Sequence, residues 1–224
     1  MLGIIGGTSL LYADLPPLEK ERRATPYGPA EIYRGDDVAL LMRHQGDRPP
    51  HRINYQASLA ALMLAGVDRI VSIGSVGSLQ LSVLPGSIVL PDDYLSFTSI
   101  PTLYDNTIGH AVPSIDADLT GEIASLIPDA HLGGTYVQAP GPRFETSAEI
   151  SMMQQFGDVL GMTVASEATL ANEFEIPFAA VCFVDNFCNG LSNDEVSYEG
   201  ILAMAKANKT AIELVVAAMV AELS

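Results

Sequence analysis

The sequence contains no tryptophan, only two cysteines, and only eleven lysines and arginines against 27 acidic residues. A net charge of −16 leaves no basic surface that could neutralise a nucleic-acid backbone, so we expect no nucleic-acid partner. Cys182 and Cys188 have neither the spacing of a zinc site nor the number of a disulfide framework. We therefore expect reduced thiols and no metal site.

Long apolar runs and targeting signals are also missing. The apolar residues 1–5 follow no basic segment and are interrupted at once by Gly6 and Gly7, unlike a signal peptide. No apolar stretch approaches the roughly 20 residues that span a bilayer. These features predict a cytoplasmic protein with no membrane partner.

Apolar residues, in contrast, make up 48% of the chain and charged residues only 17%. With no linker in the sequence, this balance predicts one compact domain over residues 1–224. Short apolar strands, such as residues 178–184, alternate with helical patterns at residues 55–65 and 117–126. This alternation predicts an α/β fold with a central, mixed but mostly parallel β-sheet flanked by helices.

Polar or small residues follow several predicted strands. Thr8 follows the first strand, Arg43 and His44 end a predicted hairpin, and a small-residue turn containing Ser75 follows the strand at residues 69–73. Such turns let backbone N–H groups approach an anion, and arginine suits a bidentate contact with an oxyanion. One interpretation is a phosphate-sized anion; the other is plain tight turns and a surface-exposed Arg–His pair.

A second candidate site is the loop after the predicted strand at residues 135–139. A Pro-Gly-Pro sequence stops this strand, and Phe144 and Glu145 then precede a helix that Thr146 or Ser147 can cap. Ligands of open α/β sheets bind at the carboxyl ends of strands, so this ring and carboxylate are candidate contacts. The alternative is an ordinary connection in which Glu145 is a solvated acid favoured by the helix dipole.

Together these stretches resemble the purine nucleoside phosphorylase and methylthioadenosine phosphorylase family, in its trimeric branch. The resemblance covers nearly the whole chain and implies the nucleoside phosphorylase fold, a homotrimer, and phosphorolysis of a nucleoside with inorganic phosphate as co-substrate and no cofactor. It lies in motifs at residues 4–8, 43–44, 50–57, 74–78, 141–146 and 161–163, with Glu167 beyond them.

The resemblance also implies individual roles. Met162 would lie under the ribose, the Phe144 ring against the purine, and Glu145 would accept hydrogen bonds from N1–H or a 2-amino group. In trimeric relatives His51 is placed to serve the pocket of a neighbouring subunit. The phosphate would be held by Thr8, Arg43, His44, Ser75 through its backbone, and Thr163.

Members of this family differ in how they select the purine. Those that look like adenine readers place an aspartate just after the strand that corresponds to residues 178–184, where this chain has Asn186. They also place a serine after the phenylalanine of Pro-Arg-Phe, where this chain has Glu145. A neutral amide can donate to a 6-oxo group and accept from a protonating N7, and a carboxylate suits N1–H. We therefore predict a 6-oxopurine, with Asn186 as the catalytic group. A register slip of one residue would make Asp185 the reader and restore adenine.

The 5′ end of the nucleoside is expected to meet an apolar lining. Members specific for a 5′-hydroxyl are expected to present a histidine from the last helical region, but no histidine follows His131. Tyr198, Ile201 and Leu202 lie there instead and suit a methylthio group, unless the last two are core positions. The chain is also short at its C-terminus for this family, so we expect any pocket residue that relatives supply from a longer tail to be absent here or replaced. We expect 5′-methylthioinosine as substrate, with inosine or guanosine as further candidates.

Three alternatives stay open at this point. An adenine-reading methylthioadenosine phosphorylase would differ only in the base. A hydrolytic nucleosidase would need no phosphate site, so Arg43 and His44 argue against it. A non-catalytic nucleoside-binding protein would not need the intact set of polar loops.

Overall fold

A computed structural model of the protein describes residues 1–15, 17–193 and 195–224. Its strands are β1 Leu2–Gly6, β2 Glu19–Arg23, β3 Ala30–Arg34, β4 Val38–Met42, β5 Arg69–Ser78, β6 Ile88–Leu90, β7 Asp93–Ser96, β8 His131–Leu132, β9 Thr135–Gln138, β10 Val159–Gly161 and β11 Phe178–Phe187. Its α-helices are α1 Tyr55–Ala65, α2 Ala117–Leu126, α3 Ser147–Met153, α4 Val164–Glu173, α5 Tyr198–Ala207 and α6 Lys209–Leu223.

All of these strands belong to one mixed sheet. β1 lies between β4 and β5 and runs parallel to both, and β5 continues the parallel part of the sheet to β11. β3 is antiparallel to β4, as the predicted hairpin requires. β10 runs antiparallel to the carboxyl-terminal half of β5 and parallel to β9. The predicted α/β fold with a mixed sheet flanked by helices is confirmed.

Two apolar cores lie on opposite faces of this sheet. In β11 the even-numbered residues from 178 to 184 pack into the core that includes α1 and α4, and the odd-numbered residues from 179 to 183 pack into the core that includes α2 and α6. Side chains alternate between the faces of a strand, so a strand buried on both faces is apolar throughout. This is why the residue 178–184 run reads as the strongest strand in the sequence.

The first long helix, α1, shows how local sequence sets an element's bounds. Asn54 caps its start, because the Asn54 side chain accepts a hydrogen bond of 3.0 Å from the Ala57 N–H. Gly66 ends it in the left-handed conformation, with φ of 92°, which glycine adopts at little cost. Both ends match the helix predicted at residues 55–65.

Other elements differ from the sequence-based prediction. Residues 74–78 were predicted to form a turn, but they extend β5, because they pair with both β11 and β10. The polar, aromatic-bearing sequence of residues 91–108 predicts a loop, but this segment contains β7, which pairs with β9. β2 was not predicted, since its charged sequence lacks apolar alternation.

The carboxyl-terminal helical region is also divided differently. The apolar residues at 194–223 recur with helical periodicity and predict a long helical segment, whereas the structure has two helices, α5 and α6, that meet at Asn208. Asp194, the predicted start, lies outside the described residues. Among the helices that the structure describes, none is long and apolar enough to cross a membrane.

Candidate active site

A cavity of about 630 Å³ opens at the ends of β1, β4, β9, β10 and β11 and beside the carboxyl-terminal half of β5. The antiparallel course of β10 matters here, because it brings the residues after Gly161 back towards Ser75 and Gly77 in β5. Eleven of the thirteen predicted site residues line this cavity: Thr8, Arg43, His44, Ser75, Phe144, Glu145, Met162, Thr163, Asn186, Tyr198 and Ile201.

The other two predicted residues lie outside the cavity. Leu202 is absent from its lining, because α5 turns by about 100° per residue and Ile201 is the side chain presented there. The prediction of Leu202 as a 5′-pocket residue is therefore not supported. His51 lies in an adjoining open cleft of about 820 Å³, which shares Asp47, Arg48 and Pro49 with the cavity.

Arg43 is buried, so the alternative of a surface-exposed Arg–His pair is wrong for this residue. Its counterion is Glu167 on α4: Nε lies 2.8 Å from Oε1 and Nη2 lies 3.2 Å from Oε2. The two side chains are only 4% and 1% exposed. Ser72 closes the network, accepting from Arg43 Nη2 at 3.0 Å and donating to Glu167 at 2.6 Å.

This network decides which part of Arg43 can contact a ligand. Among the described residues, Nη1 has no hydrogen-bond partner, whereas Nε and Nη2 are taken. A Cβ at Gly7 would lie 3.1 Å from Nη1 and 3.2 Å from Cδ2 of His44, so glycine keeps the space beside both side chains open. A buried arginine held in this way offers one fixed donor edge to an anion.

The ring of His44 is held in place by a hydrogen bond through Nδ1. Its Nδ1 lies 2.8 Å from the carbonyl oxygen of Arg48, and since a carbonyl only accepts, Nδ1 carries the hydrogen. Burial lowers the pKa of His44 in spite of this hydrogen bond, and the positive charge of Arg43 lowers the pKa further. A lowered pKa favours the neutral ring, in which Nε2 is an acceptor.

The turn between β10 and α4 is held in place by hydrogen bonds to Tyr136. The Tyr136 hydroxyl accepts from the backbone N–H groups of Thr163 at 3.1 Å and Val164 at 3.2 Å. Burial raises the pKa of Tyr136, so the hydroxyl keeps its proton. This support places Met162 and Thr163 on the cavity wall.

The loop that carries Phe144 and Glu145 is tied at both sides. Thr146 caps α3 in a capping box with Glu149, as the sequence predicts for Thr146. Arg143 makes two bonds of 2.8 Å to the Glu149 carboxylate and donates to the Phe144 carbonyl at 3.0 Å. Burial raises the pKa of Glu145, which is only 9% exposed. The alternative of a solvated Glu145 is therefore wrong.

A β-bulge in β11 puts two neighbouring polar residues on the cavity wall. Val184 pairs with Val76 and Asn186 with Gly77, so Asp185 is the extra residue between them. Both Asp185 and Asn186 line the cavity. In the sequence Asp185 and Asn186 are alternative candidates for the residue that contacts the purine, whereas the bulge places both on the cavity wall.

The two side chains of the bulge differ in their partners. Asp185 accepts a short hydrogen bond from the Ser75 hydroxyl, and burial raises the pKa of Asp185 to about 6. Asn186 donates from Nδ2 to the carbonyl of Phe187 at 2.6 Å. Its Oδ1 has no partner in the part of the chain that the structure describes.

Three contributing residues were not predicted as part of the site. Glu167 was noted only as part of a motif, and nothing local identifies it as the counterion of a residue 124 positions away. Asn189 lines the cavity and donates to the Glu145 carbonyl at 3.2 Å. Ser72 is a small residue within a strand, and the sequence carries no signal for it.

The described residues contain no group of three or more His, Cys, Asp or Glu side chains placed to hold a metal ion. The groups that line the cavity are instead a guanidinium edge and hydroxyls on one side and a ring, a carboxylate and an amide on the other. This division suits an anion beside a flat, polar-edged ring.

Comparison with known proteins finds relatives that are named as nucleoside phosphorylases. A 6-oxopurine nucleoside phosphorylase, named as probable, from Archaeoglobus fulgidus is 41% identical over 220 residues, covering 93% of this chain and 90% of the relative. A probable S-methyl-5′-thioinosine phosphorylase from Methanothermobacter thermautotrophicus is 37% identical over 241 residues, covering 100% and 84%.

Solved structures agree on the fold. A methylthioadenosine phosphorylase from an antarctic soil metagenomic library has a TM-score of 0.82 at 29% identity, covering 100% of this chain and 87% of that one. An adenosine/methylthioadenosine phosphorylase from Schistosoma mansoni has a TM-score of 0.87 at 21% identity, covering 99% and 91%. The profile of the Phosphorylase superfamily matches residues 1–221. The chain belongs to the phosphorylase superfamily.

Proposed function

We propose that this protein is a pentosyltransferase that cleaves 6-oxopurine nucleosides by phosphorolysis, releasing the free purine and a ribose 1-phosphate derivative. The observation that carries the proposal is the joint presence of Glu145 and Asn186 on the wall of a cavity that also contains Arg43 and His44. Relatives at 35–41% identity over most of the chain bear names of 6-oxopurine or S-methyl-5′-thioinosine phosphorylases, which supports the same reaction.

The geometry favours a 6-oxopurine for a reason of hydrogen-bond chemistry. Glu145 is a buried carboxylate and accepts a hydrogen bond from N1–H, a group that adenine lacks. Asn186 keeps Oδ1 available, and this oxygen accepts from N7 once the leaving purine is protonated there. A site that leaves a buried carboxylate unpaired with the wrong base discriminates strongly against that base.

The reaction needs no covalent intermediate with the protein. A phosphate oxygen forms a bond to C1′ as the C1′–N9 bond breaks, and the bond electrons move into the purine ring. Hydrogen phosphate gives up its proton to solvent as the ester forms, and the purine takes up a proton from solvent at N7. Arg43 Nη1 and the neighbouring donors hold the phosphate, and Asn186 stabilises the departing base. Placement of the two reactants and fixed dipoles in a partly enclosed site supply the rate enhancement.

For the 5′ position we propose a methylthio substituent. Tyr198 and Ile201 line the cavity from α5, and Val196 lies beside them. This lining is largely apolar, and burial of a methyl-sized group there contributes about 0.8 kcal/mol. Inosine and guanosine, which carry a 5′-hydroxyl, are then weaker substrates than 5′-methylthioinosine.

The assembly and the cellular context also belong to the proposal. We expect the homotrimer that the family resemblance implies, with His51 and its cleft facing a neighbouring subunit. In its own chain His51 does not reach the cavity. Sedimentation equilibrium tests this expectation. A cytoplasmic role in purine salvage is the corresponding prediction for the cell.

The test is release of free base with and without inorganic phosphate, using methylthioinosine, inosine, guanosine and methylthioadenosine side by side. The proposal expects phosphate-dependent release from the 6-oxopurines, fastest with methylthioinosine. Release that proceeds equally without phosphate would indicate a hydrolase. No release from any of the four would indicate a binding protein without this activity.

A further inference from the structure

The start of α4 is capped differently from the other helix starts. Four helices follow a residue whose own side chain accepts a hydrogen bond from the backbone N–H three residues further on, and these residues are Asn54, Asp116, Thr146 and Ser197. Thr163 precedes α4 and is a residue of the same type, but its side chain makes no such bond. The equivalent N–H, that of Ser166, therefore has another acceptor.

That acceptor is Gln138, the last residue of β9. Its Oε1 accepts from the Ser166 N–H at 3.1 Å, and its Nε2 donates to the Ser166 hydroxyl at 2.7 Å. Both residues are 2% exposed, so the two bonds are shielded from water. The amide of Gln138 thus has the role at α4 that a capping side chain has at the other helices.

Tyr136 lies two residues earlier and supports the same helix start. Its hydroxyl accepts from the N–H groups of Thr163 and Val164. Residues two apart in a strand share a face, so Tyr136 and Gln138 both point towards α4. The hydroxyl can approach this turn because residue 161 is glycine, since a Cβ at Gly161 would collide with the Tyr136 oxygen. Two β9 side chains therefore cap α4.

Thr163 is left with a hydroxyl that takes no part in capping. This hydroxyl has no hydrogen-bond partner among the residues that the structure describes, and Thr163 lines the cavity although it is only 6% exposed. We infer that Gln138 is a positioning residue: by capping α4 in place of Thr163, it leaves the Thr163 hydroxyl available to a ligand in the cavity. The inference rests on the proposed function for the identity of that ligand, inorganic phosphate.

The role of Gln138 follows from competition for one hydroxyl. A helix start leaves backbone N–H groups without intrahelical acceptors, and a threonine just before the helix is a favoured acceptor for them. Without the Gln138 amide, the buried Ser166 N–H would be unpaired, which is costly. Thr163 stands at the position from which a threonine caps a helix, so its hydroxyl would turn from the cavity to the Ser166 N–H.

Thermal unfolding tests the capping arrangement without an activity measurement. Thr163→Val keeps the shape of the side chain and removes its hydroxyl, and the matched control Thr146→Val does the same at a threonine that caps its own helix. At equal protein concentration, Thr146→Val should lower the Tm by about 2–4 °C, the usual loss for a cap, and Thr163→Val by less than about 1 °C. A larger loss in Thr163→Val would show that Thr163 caps α4 and would overturn the inference.

Replacement of Gln138 should reverse this result. In Gln138→Met the Thr163 hydroxyl becomes the cap, so adding Thr163→Val should now lower the Tm by about 2–4 °C. A loss of less than about 1 °C in this background would contradict the competition between the two side chains.

Phosphate kinetics test the positioning role. Gln138 does not line the cavity, yet Gln138→Met should raise KM for phosphate at least about threefold, as Thr163→Val does, with kcat within about twofold of wild type. The two changes should not add, so Gln138→Met should leave KM for phosphate unchanged in a Thr163→Val background. Additive effects, or an unchanged KM in Gln138→Met alone, would make Gln138 a purely structural residue.

Gln154→Met is the matched control for these kinetics. It removes a glutamine amide that donates to the Leu79 carbonyl at 3.0 Å, away from the cavity lining, and the wild-type KM for phosphate is expected. A rise equal to that in Gln138→Met would show a general effect of losing a buried amide and would contradict the inference.

The inference and the proposed function fail differently. If no nucleoside is turned over, the proposed function is contradicted, while the Tm comparisons and the phosphate affinity from isothermal titration of the same variants still decide the inference. Phosphate-dependent turnover by a protein in which Thr163→Val is as destabilising as Thr146→Val would contradict only the inference.

Discussion

Substitution of Asp185 by asparagine should stabilise the protein, and the gain should depend on pH. Asp185 lies in the bulge of β11, is 6% exposed, and accepts from the Ser75 hydroxyl. Burial raises the pKa of Asp185 from its usual 3.8 to about 6. The asparagine amide keeps an oxygen that can accept from Ser75, so the substitution removes the buried charge and little else.

The magnitude follows from these two pKa values. Below pH 3.8 the carboxyl is protonated in both the folded and the unfolded chain, so burial costs nothing extra. As the pH rises, the Asp185 carboxyl ionises first in the unfolded chain, so the folded state loses stability relative to the unfolded state. This loss ends above about pH 6, where the carboxyl is ionised in both states. A difference of about two pKa units corresponds to about 3 kcal/mol. The advantage of Asp185→Asn should therefore grow from under about 1 kcal/mol at pH 4 to about 3 kcal/mol at pH 7.5.

Urea denaturation of both proteins at pH 4, 5.5 and 7.5 measures this difference directly. Asp105→Asn, which removes an exposed loop carboxylate, is the matched control for the change in net charge. An Asp185→Asn variant whose advantage is the same at pH 4 and pH 7.5 would show that the Asp185 charge is not destabilised by burial. A variant less stable than wild type at pH 7.5 would show that the carboxylate has a cationic partner.

Further predictions concern the catalytic and supporting residues. Asn186→Ala should lower kcat on inosine by about 10² because the leaving purine loses its acceptor, and steady-state assays with unchanged kcat would remove Asn186 from the mechanism. Glu167→Gln leaves the buried Arg43 without its counterion and should cost about 3 kcal/mol in urea denaturation while raising KM for phosphate; wild-type values of both would contradict the pairing. Arg143→Ala should raise KM for the nucleoside with kcat nearly unchanged, because the Phe144 loop loses its tie to Glu149. Arg143→Lys should restore KM only in part, and equal KM values in all three proteins would show that the tie does not position the loop.

Features encoded within a few residues were predictable from the sequence. The bounds of α1 follow from Asn54 and Gly66, and the cap of α3 follows from Thr146, because each depends on hydrogen bonds to residues close by in the chain. The candidate anion and base residues were found through strand ends and through the resemblance to a known family. The cavity brings most of them together because those strands end at one place in the sheet.

Features that depend on distant partners were not predictable. The counterion of Arg43 comes from α4, more than a hundred residues away, and a lone glutamate on a helix carries no mark of that role. The bulge in β11 depends on pairing with β5, so the sequence could not show that Asp185 and Asn186 both face the cavity. The continuation of β5 through its glycines has the same cause, since pairing on both sides overrides their weak local preference for a strand.

The central claim is that Glu145 and Asn186 together select a 6-oxopurine for phosphorolysis. The most direct measurement is kcat/KM for 5′-methylthioinosine and for 5′-methylthioadenosine, two substrates that differ only in the purine base, at saturating phosphate. We predict a preference for methylthioinosine of at least about 10², given a buried carboxylate that adenine leaves without a donor. Equal values, or a preference for methylthioadenosine, would contradict the account.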